Sequence, residues 1–173
     1  MKSFSPLVCI DFEASCLPTE ETESYPIEVG IAFVPSGSSR SWLIRPMDDW
    51  LRVGFWDPAA ERLHGLNLER LRRDGLDVAG VRQELADTVR GFTVVSDYPL
   101  ADAKWAGMLY GGQAPFPIEN YEAVLYQRVG LPPLAFRDAI RDAEEGALRR
   151  VRELHRAGPD ACRLAEICRL MLR

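Results

Sequence analysis

The first part of the chain alternates between short apolar segments and polar connections. Residues 7–12 are mostly apolar, include Val and Ile and end in acidic residues, which predicts a buried strand. A polar stretch over residues 18–24 leads to a second β-rich segment at residues 27–34. The turn cluster Pro35-Ser36-Gly37-Ser38-Ser39 then precedes a third short strand at residues 41–45. Three strands with short polar connections predict an antiparallel meander.

The hydrophobic period changes in the middle of the chain. Four apolar residues recur there at three- and four-residue spacing, which is typical of an amphipathic helix: Val78, Val81, Leu85 and Val89. Residues 93–96 predict a fourth, buried strand after this helix. A further helix is expected from about Leu100 to Tyr110, because Gly111-Gly112 follows.

The last third of the chain predicts two more helices. Residues 113–134 contain prolines and glycines without a clear period, which leaves room for a fifth strand. Residues 134–154 are rich in Ala, Arg and Glu and predict a helix that Gly158-Pro159 interrupts. The last helix is expected to start at Pro159, since proline suits the first helical position. Its apolar residues lie along one face: Leu164, Cys168 and Met171. This order of elements predicts one domain over residues 1–173, a mixed α/β sheet with helices packed against it.

Composition narrows the class of protein. The chain has 173 residues, of which 47% are hydrophobic and 27% charged, as in a soluble globular protein. No apolar run approaches the ~20 residues that span a bilayer, so we expect no membrane association and a cytoplasmic location by default. The spacing of the cysteines contains no Cys-x-x-Cys pair, which favours reduced thiols over disulfides or structural zinc.

The net charge of −5 and the pI near 5.1 also restrict the ligands. Proteins that bind long DNA or RNA electrostatically are usually basic. If nucleic acid is the substrate, phosphate attraction must therefore come from bound cations or from a small basic patch. This favours short or end-bound substrates over extended duplex.

Asp11 and Glu13 lie at the end of the first predicted strand. Because side chains alternate along a strand, both carboxylates point to one side and Phe12 points to the other. Two neighbouring carboxylates repel each other unless a cation neutralises them. In a chain with 26 acidic residues, however, an isolated Asp-x-Glu is also compatible with a solvated strand end.

Two further sets of residues carry candidate chemistry. In Ser96-Asp97-Tyr98-Pro99-Leu100-Ala101-Asp102, either aspartate could instead cap the following helix. Asp160 would lie in the first turn of the last helix, where the helix dipole favours a negative charge. His155 would lie on the loop just before it. Taken alone, this pair is also compatible with a surface histidine and a dipole-matching aspartate.

Together and in this order, these residues resemble the three motifs of the DEDD exonucleases of the histidine subtype (DEDDh). That family includes ribonuclease T, oligoribonuclease and the proofreading subunits of DNA polymerases. Asp11-x-Glu13 matches the first motif, Asp102 the second, and His155-x4-Asp160 the third. Individually the motifs are weak signals, and their order and placement carry the resemblance.

Other segments agree with the resemblance, which spans about residues 7–168. Tyr25-Pro26-Ile27-Glu28-Val29-Gly30 looks like the family's second-strand segment, which runs into a Glu-x-Gly. Trp56-Asp57-Pro58 to Leu63-His64-Gly65-Leu66 looks like its His-Gly segment near the 3′-nucleotide pocket.

The sequence also departs from the family pattern. Ala14-Ser15-Cys16 replaces the usual Thr-Thr-Gly or Thr-Ser-Gly, and Ala101 stands where members often carry an aromatic residue. Asp97 competes with Asp102 for the second-motif role. The spacing from Ser96 favours Asp102.

The resemblance implies a ribonuclease-H-like fold, with a five-stranded sheet that begins as an antiparallel meander and continues with parallel strands. It also implies two Mg²⁺ or Mn²⁺ ions, typically ~3.5–4 Å apart, held by Asp11, Glu13, Asp102 and Asp160. Oxygen ligands suit these hard cations. His155, with an ordinary pKa of ~6.5, would accept a proton from water. The implied activity is removal of nucleoside monophosphates from the 3′ end of single-stranded or short RNA or DNA.

Five residues are the expected substrate contacts: Phe12, Ala14, His64, Trp105 and Arg156. Four tryptophans could stack on a base, although most such residues simply pack, and Trp105 on the predicted helix is the first to test: Trp42, Trp50, Trp56 and Trp105. Arg149, Arg150, Arg152 and Arg156 surround a single acid, Glu153. They are either a solvated helix face or a cluster that steers substrate phosphates. Because several family members form dimers, a homodimer is an open alternative.

Two other classes of function remain at this point. A catalytically silent member of the fold, which binds nucleic acid or a protein partner, would fit the altered residues Ala14-Ser15-Cys16 and Ala101. Retention of the four carboxylates and His155 speaks against it. A phosphohydrolase of another fold that acts on small phosphate esters would leave the motif order unexplained.

Overall fold

A mixed five-stranded sheet forms the centre of the structure, which is a computed structural model describing residues 4–17, 19, 22–152 and 155–173. Its strands are β1 (Leu7–Ala14), β2 (Pro26–Phe33), β3 (Ser39–Leu43), β4 (Thr93–Ser96) and β5 (Ile118–Asn120). The strand order is β3-β2-β1-β4-β5. The first three strands pair antiparallel, whereas β4 and β5 continue the sheet parallel to β1. The predicted fold class is confirmed, and β5 lies in the segment that shows no period.

The helices of the described residues are α1 (Asp48–Val53), α2 (Pro58–His64), α3 (Leu68–Asp74), α4 (Val78–Val89), α5 (Pro99–Tyr110), α6 (Tyr121–Val129), α7 (Pro133–Arg150) and α8 (Ala157–Met171). The pattern of apolar residues predicts α4 and α5 well. It does not predict α6, which lies in the segment without a clear period, or α1–α3, which have only six or seven residues each and so are too short to show a helical period. None of these helices is long and apolar enough to cross a membrane.

The start of the last helix differs from the prediction. Helix α8 begins at Ala157, with Arg156 as its N-cap, so Pro159 is the third helical residue rather than the first. Proline is tolerated there because the N–H groups of the first turn have no acceptor within the helix. The preceding helix α7 ends at Arg150, and Leu154, its predicted end, lies outside the described residues.

Strand β1 separates two layers of apolar side chains. Val8, Ile10 and Phe12 pack into the layer that contains α3, α4 and α5. Leu7 and Cys9 point into the opposite layer, which contains α6, α7 and α8. Because side chains alternate, Asp11 and Glu13 continue the row of Leu7 and Cys9. The two carboxylates therefore lie on the α8 side of the sheet, just beyond the apolar part of that row.

The first turn of α8 packs directly on β2 at Gly30. A Cβ atom on Gly30 would overlap the backbone of Ala157 and Gly158, so no side chain fits between strand and helix at this position. Gly30 is also the partner of Asp11 in the β1–β2 register. The close approach therefore places the beginning of α8 beside the acidic end of β1.

Candidate active site

Three carboxylates converge where β1 meets the beginning of α8. Asp11, Glu13 and Asp160 each offer an oxygen that lies within 4.8 Å of the other two. All three side chains are partly exposed. Asp11 and Glu13 come from alternate positions of β1, and Asp160 comes from the first turn of α8. The structure thus brings together residues that are about 150 positions apart in the sequence.

Asp102 approaches the same group from α5. Its side chain is 2% exposed, and its Oδ2 accepts a hydrogen bond from the Ser96 hydroxyl at the end of β4. The backbone N–H of Phe12 also interacts with this carboxylate. Burial raises the pKa of Asp102 to about 7, although the Ser96 hydroxyl opposes that shift. The negative charge of Asp102 in turn raises the pKa of Asp11.

Asp97 is placed differently from Asp102. It is exposed, and its Oδ2 accepts a hydrogen bond from the Arg163 guanidinium at 3.3 Å. Neither aspartate caps α5, because its N-cap is Tyr98 without a side-chain cap and Asp102 lies within the first turn. This arrangement favours Asp102 over Asp97 as the fourth carboxylate of the site.

Repulsion and burial dominate the electrostatics of the four carboxylates. Burial raises the pKa of Asp11 well above its ordinary value, and the charges of Asp102, Glu13 and Asp160 add to the effect. Burial, Asp160 and Glu28 raise the pKa of Glu13 to about 8, which Arg156 only partly offsets. The pKa of Asp160 is also raised by burial. Such a group gains most from bound cations, which favour the charged form of every carboxylate.

His155 lies on the turn that leads into α8. Its backbone has a φ of 64°, the left-handed region that few non-glycine residues adopt, and its side chain is exposed. Its backbone N–H donates to Oδ2 of Asp160 at 2.7 Å. This bond fixes the turn against the Asp160 carboxylate and leaves the imidazole at the solvent side of the site.

The neighbouring Arg156 is tied to the sheet. Its Nε and Nη2 donate to the two carboxylate oxygens of Glu28 on β2, each at 2.7 Å. Glu28 also accepts the Ala157 N–H at 3.2 Å, and its side chain is only 2% exposed. Arg156 thus forms a bidentate ion pair with buried Glu28 that fixes the beginning of α8 on β2, and its contact with substrate stays a prediction.

Trp105 and Phe12 are also expected substrate contacts, and the structure places both in the core. Trp105 is 5% exposed, and its indole N–H donates to the Ser24 hydroxyl at 3.0 Å. The Phe12 ring is equally buried and packs against Trp105, with ring centroids 6.5 Å apart. Both rings are thus largely covered, and the contact of Trp105 with a base stays a prediction. Both brace β1 from the side opposite the carboxylates.

His64, another expected substrate contact, is buried at the end of α2. Its Nδ1 accepts the Leu66 N–H at 3.0 Å, which leaves the proton of a neutral ring on Nε2. Burial lowers the pKa of His64 and so favours that neutral ring. Among the residues that the structure describes, Nε2 has no hydrogen-bond partner. A buried N–H group without a partner is costly and is therefore a candidate ligand donor.

A mainly apolar pocket of about 430 Å³ opens between α2 and the segment that follows β1. Its walls include Cys16, Leu17, Phe55 and Leu63. Three of these side chains are unusually exposed for apolar residues: Leu17 at 73%, Phe55 at 50% and Leu63 at 58%. We call this cavity the apolar pocket. Ala14, an expected substrate contact, is 8% exposed and lies on the strand that leads to it.

Several residues of this region cannot be recognised from the sequence. The walls of the apolar pocket stand out in the sequence only as apolar residues within polar segments: Leu17, Phe55 and Leu63. Glu28 and Gly30 were visible as a Glu-x-Gly, but their contacts with α8 depend on residues some 130 positions away. Ser96 served only as a spacing marker for Asp102, whereas the structure shows its hydroxyl bonded to that carboxylate.

Comparison with known proteins gives matches by structure only. No family model matches the sequence, and a comparison of sequences with curated proteins finds no match. Exonuclease I matches with a TM-score of 0.63 and 14% sequence identity, over 96% of this chain and 40% of that chain. Its apo form matches with a TM-score of 0.64 and 14% identity, over 97% of this chain and 42% of that chain.

A third match is E. coli exonuclease I in complex with a dT13 oligonucleotide. Here the TM-score is 0.53 and the identity 15%, over 75% of this chain and 30% of that chain. This chain therefore spans about two fifths or less of the length of these exonucleases. At such identities the similarity shows that the fold is shared.

Proposed function

We propose that this chain is a metal-dependent 3′→5′ exonuclease of the DEDDh type that acts on single-stranded or short nucleic acid. The observation that carries the proposal is the meeting of Asp11, Glu13 and Asp160 within 4.8 Å, with buried Asp102 close by. Similarity in fold to exonuclease I, including its complex with an oligonucleotide, supports it.

The four carboxylates fit a pair of Mg²⁺ or Mn²⁺ ions. All donors are carboxylate oxygens, which hard divalent cations prefer. Burial, with a further contribution from neighbouring carboxylates, raises the pKa values of Asp11, Glu13 and Asp102, and bound cations would favour the charged form of each. When bound, two such ions would lower the pKa of water and stabilise the attacking and leaving oxygens of a phosphodiester.

His155 and Arg156 have different roles in the proposed reaction. The exposed imidazole of His155 accepts a proton as the oxygen of water attacks the terminal phosphorus. The P–O3′ bond breaks, the O3′ of the shortened strand takes up a proton from solvent and leaves as a 3′-hydroxyl, and a nucleoside 5′-monophosphate is released. Arg156, through Glu28, is a positioning residue that holds the turn carrying His155 and Asp160 in place.

The apolar pocket and His64 complete the site for a terminal nucleotide. Leu17, Phe55 and Leu63 offer apolar surface to a nucleobase, whose faces pack well on such groups. The Nε2–H of His64 is buried and has no partner among the described residues, so it would donate to an oxygen of the sugar or phosphate only after the side chains that cover it move aside. Proteins distinguish bases by hydrogen bonds to the base edges. The contacts proposed here include no such hydrogen bond, so we expect little preference for one base over another.

The test is digestion of a 5′-labelled single strand, as DNA and as RNA, with Mg²⁺ or Mn²⁺ and with EDTA as control. We expect a ladder of products that shorten from the 3′ end. Asp11→Asn should lower kcat by about 100-fold or more, since several kcal/mol of transition-state stabilisation depend on the cations. Asp97→Asn is the matched control, because Asp97 pairs with Arg163 and lies outside the group of three.

Each alternative function gives a different result. A silent binding module would shift the mobility of the strand without shortening it. A phosphohydrolase of small esters would leave the strand intact and release phosphate from a nucleoside monophosphate. Equal loss of activity in Asp11→Asn and Asp97→Asn would show that the converging carboxylates are not the metal ligands.

A further inference from the structure

The structure separates the arginines that precede α8. Arg149 is 3.8 Å from Glu145 on the exposed side of α7, and Arg150 pairs with Glu166 of α8. Arg156 is held by Glu28. Arg152 is exposed and makes no ion pair with any residue that the structure describes. Its charge is therefore available to a ligand.

Arg152 lines a groove of about 460 Å³ between the β3 edge of the sheet and the junction of α7 and α8. We call it the basic groove, lined by Arg40, Ser41, Arg150, Arg152 and Gly158. Arg40 projects from β3 and is exposed, and within the described part of the chain it too has no acidic partner. The groove continues into a depression of about 240 Å³ that shares Arg150 and adds Arg169 and Glu166.

The charge of the basic groove contrasts with that of the whole chain. Among the described residues that line its two parts, four arginines face one glutamate, a net formal charge of +3. The chain as a whole has a net charge of −5. Glu166 is bonded to both Arg150 and Arg169, which fixes those guanidinium groups in place rather than covering the groove. Glu153 lies outside the described residues.

The basic groove begins beside the candidate active site. Ser41 on its floor pairs with Gly30, and Gly30 pairs with Asp11. The distance across these two strand spacings is about 10 Å. Gly158 on its wall comes two residues before Asp160. From there the groove leads away toward the turn between β2 and β3, where Arg169 approaches Gly37.

We propose that the basic groove binds the phosphodiester backbone of a single strand upstream of the nucleotide that is removed. This inference rests on the proposed exonuclease function. Guanidinium groups bind phosphate oxygens in bidentate geometry without regard to sequence. A groove of positive charge also explains how an acidic protein attracts a polyanion, since the attraction is local.

The experiment compares two substrates that share the scissile phosphodiester and differ in upstream phosphates. One is an oligothymidylate of about ten nucleotides, within the usual range of single-strand binding sites. The other is the p-nitrophenyl ester of thymidine 5′-monophosphate, which has no upstream phosphate. For the double variant Arg40→Glu/Arg152→Glu, the ratio of kcat/KM for the strand to that for the ester should fall about tenfold. The salt dependence of the strand reaction should become weaker, by a slope of about 0.7 per lost phosphate contact.

Arg137→Glu is the matched control, because Arg137 is an exposed arginine on α7, about 20 Å along the helix from Arg150. Equal strand-to-ester ratios in the double variant and in Arg137→Glu would overturn the inference. If the unmodified protein hydrolyses neither substrate, the exonuclease proposal fails, and binding of the labelled strand in EDTA still tests the groove. In that binding assay, a Kd for the strand that rises only in the double variant supports the inference. A Kd for the strand that changes equally in the double variant and in Arg137→Glu contradicts it. So does a double variant that loses affinity for a poly-aspartate peptide but keeps its affinity for the strand.

Discussion

The substitution Gly30→Ala should show whether metal binding and activity depend on the position of α8, separately from the stability of the fold. In Gly30→Ala, the new Cβ would lie inside the contact distance of the Ala157 and Gly158 backbone, which is ordinarily ~3.4–4 Å between heavy atoms. Neither backbone can rotate away as a side chain can, so the first turn of α8 must move by roughly 1 Å, carrying Asp160 away from Asp11. Overpacking of this kind costs about 1–3 kcal/mol of unfolding free energy. A displacement of ~1 Å in a catalytic group can lower the rate about 100-fold.

The assays are urea unfolding, Mn²⁺ titration of the folded protein, and kcat on the nucleotide ester. Gly158→Ala is the matched control, because its Cβ would meet only Ser41, at 3.4 Å, and alanine is favoured over glycine in a helix. We expect weaker Mn²⁺ binding and lower kcat in Gly30→Ala alone. Two results would contradict this expectation: a folded Gly30→Ala protein that binds Mn²⁺ with the affinity of the unmodified protein, or an equal loss of Mn²⁺ affinity in Gly158→Ala.

Three further predictions concern the residues around the carboxylates. Glu28→Gln should cost about 3 kcal/mol of unfolding free energy, because it removes the buried carboxylate that binds the Arg156 guanidinium through two hydrogen bonds. The double variant with Arg156→Met should recover part of that loss in urea unfolding, and a single-variant cost below about 0.5 kcal/mol would contradict this. His155→Ala should retain Mn²⁺ affinity but lose about 100-fold or more in kcat, and turnover at the parental rate would show that another group accepts the proton. The pKa values of about 8 for Glu13 and about 7 for Asp102 lie above the ordinary ~4, so between these values the folded protein keeps protons that the unfolded chain has released. Without divalent cations, Tm should therefore fall as pH rises from about 5 to 8. Mn²⁺ should raise Tm more at pH 8 than at pH 5, and an equal increase in Tm at both pH values would argue against cation binding by these carboxylates.

The strand period explains why part of the site could be predicted. Alternation along β1 places Asp11 and Glu13 on one side and Phe12 on the other, whatever the rest of the fold does. The spacing of Val78, Val81, Leu85 and Val89 likewise predicts α4, because a helix has a fixed number of residues per turn. Both are local consequences of backbone geometry.

Long-range contacts explain why the surroundings of Trp105 and Arg156 could not be predicted. Trp105 has a side chain that can stack on a base, yet it packs against Phe12 and donates a hydrogen bond to Ser24 in the core. Arg156 has the charge of a phosphate ligand, but Glu28, 128 positions away, binds it. Neither partner could be identified from the residues that flank Trp105 or Arg156 in the chain.

The amino-acid sequence alone determined which side chains are candidates for the proposed chemistry and which face of a strand or helix presents them, since these follow from residue type and backbone period. The tertiary structure decided which of them meet. It placed Asp102 beside Asp11 and Asp97 beside Arg163, and it gathered Arg40 and Arg152 in one groove. The physical reason is that the separation of two residues in space depends on how strands pair and helices pack, which involves every residue of the core at once.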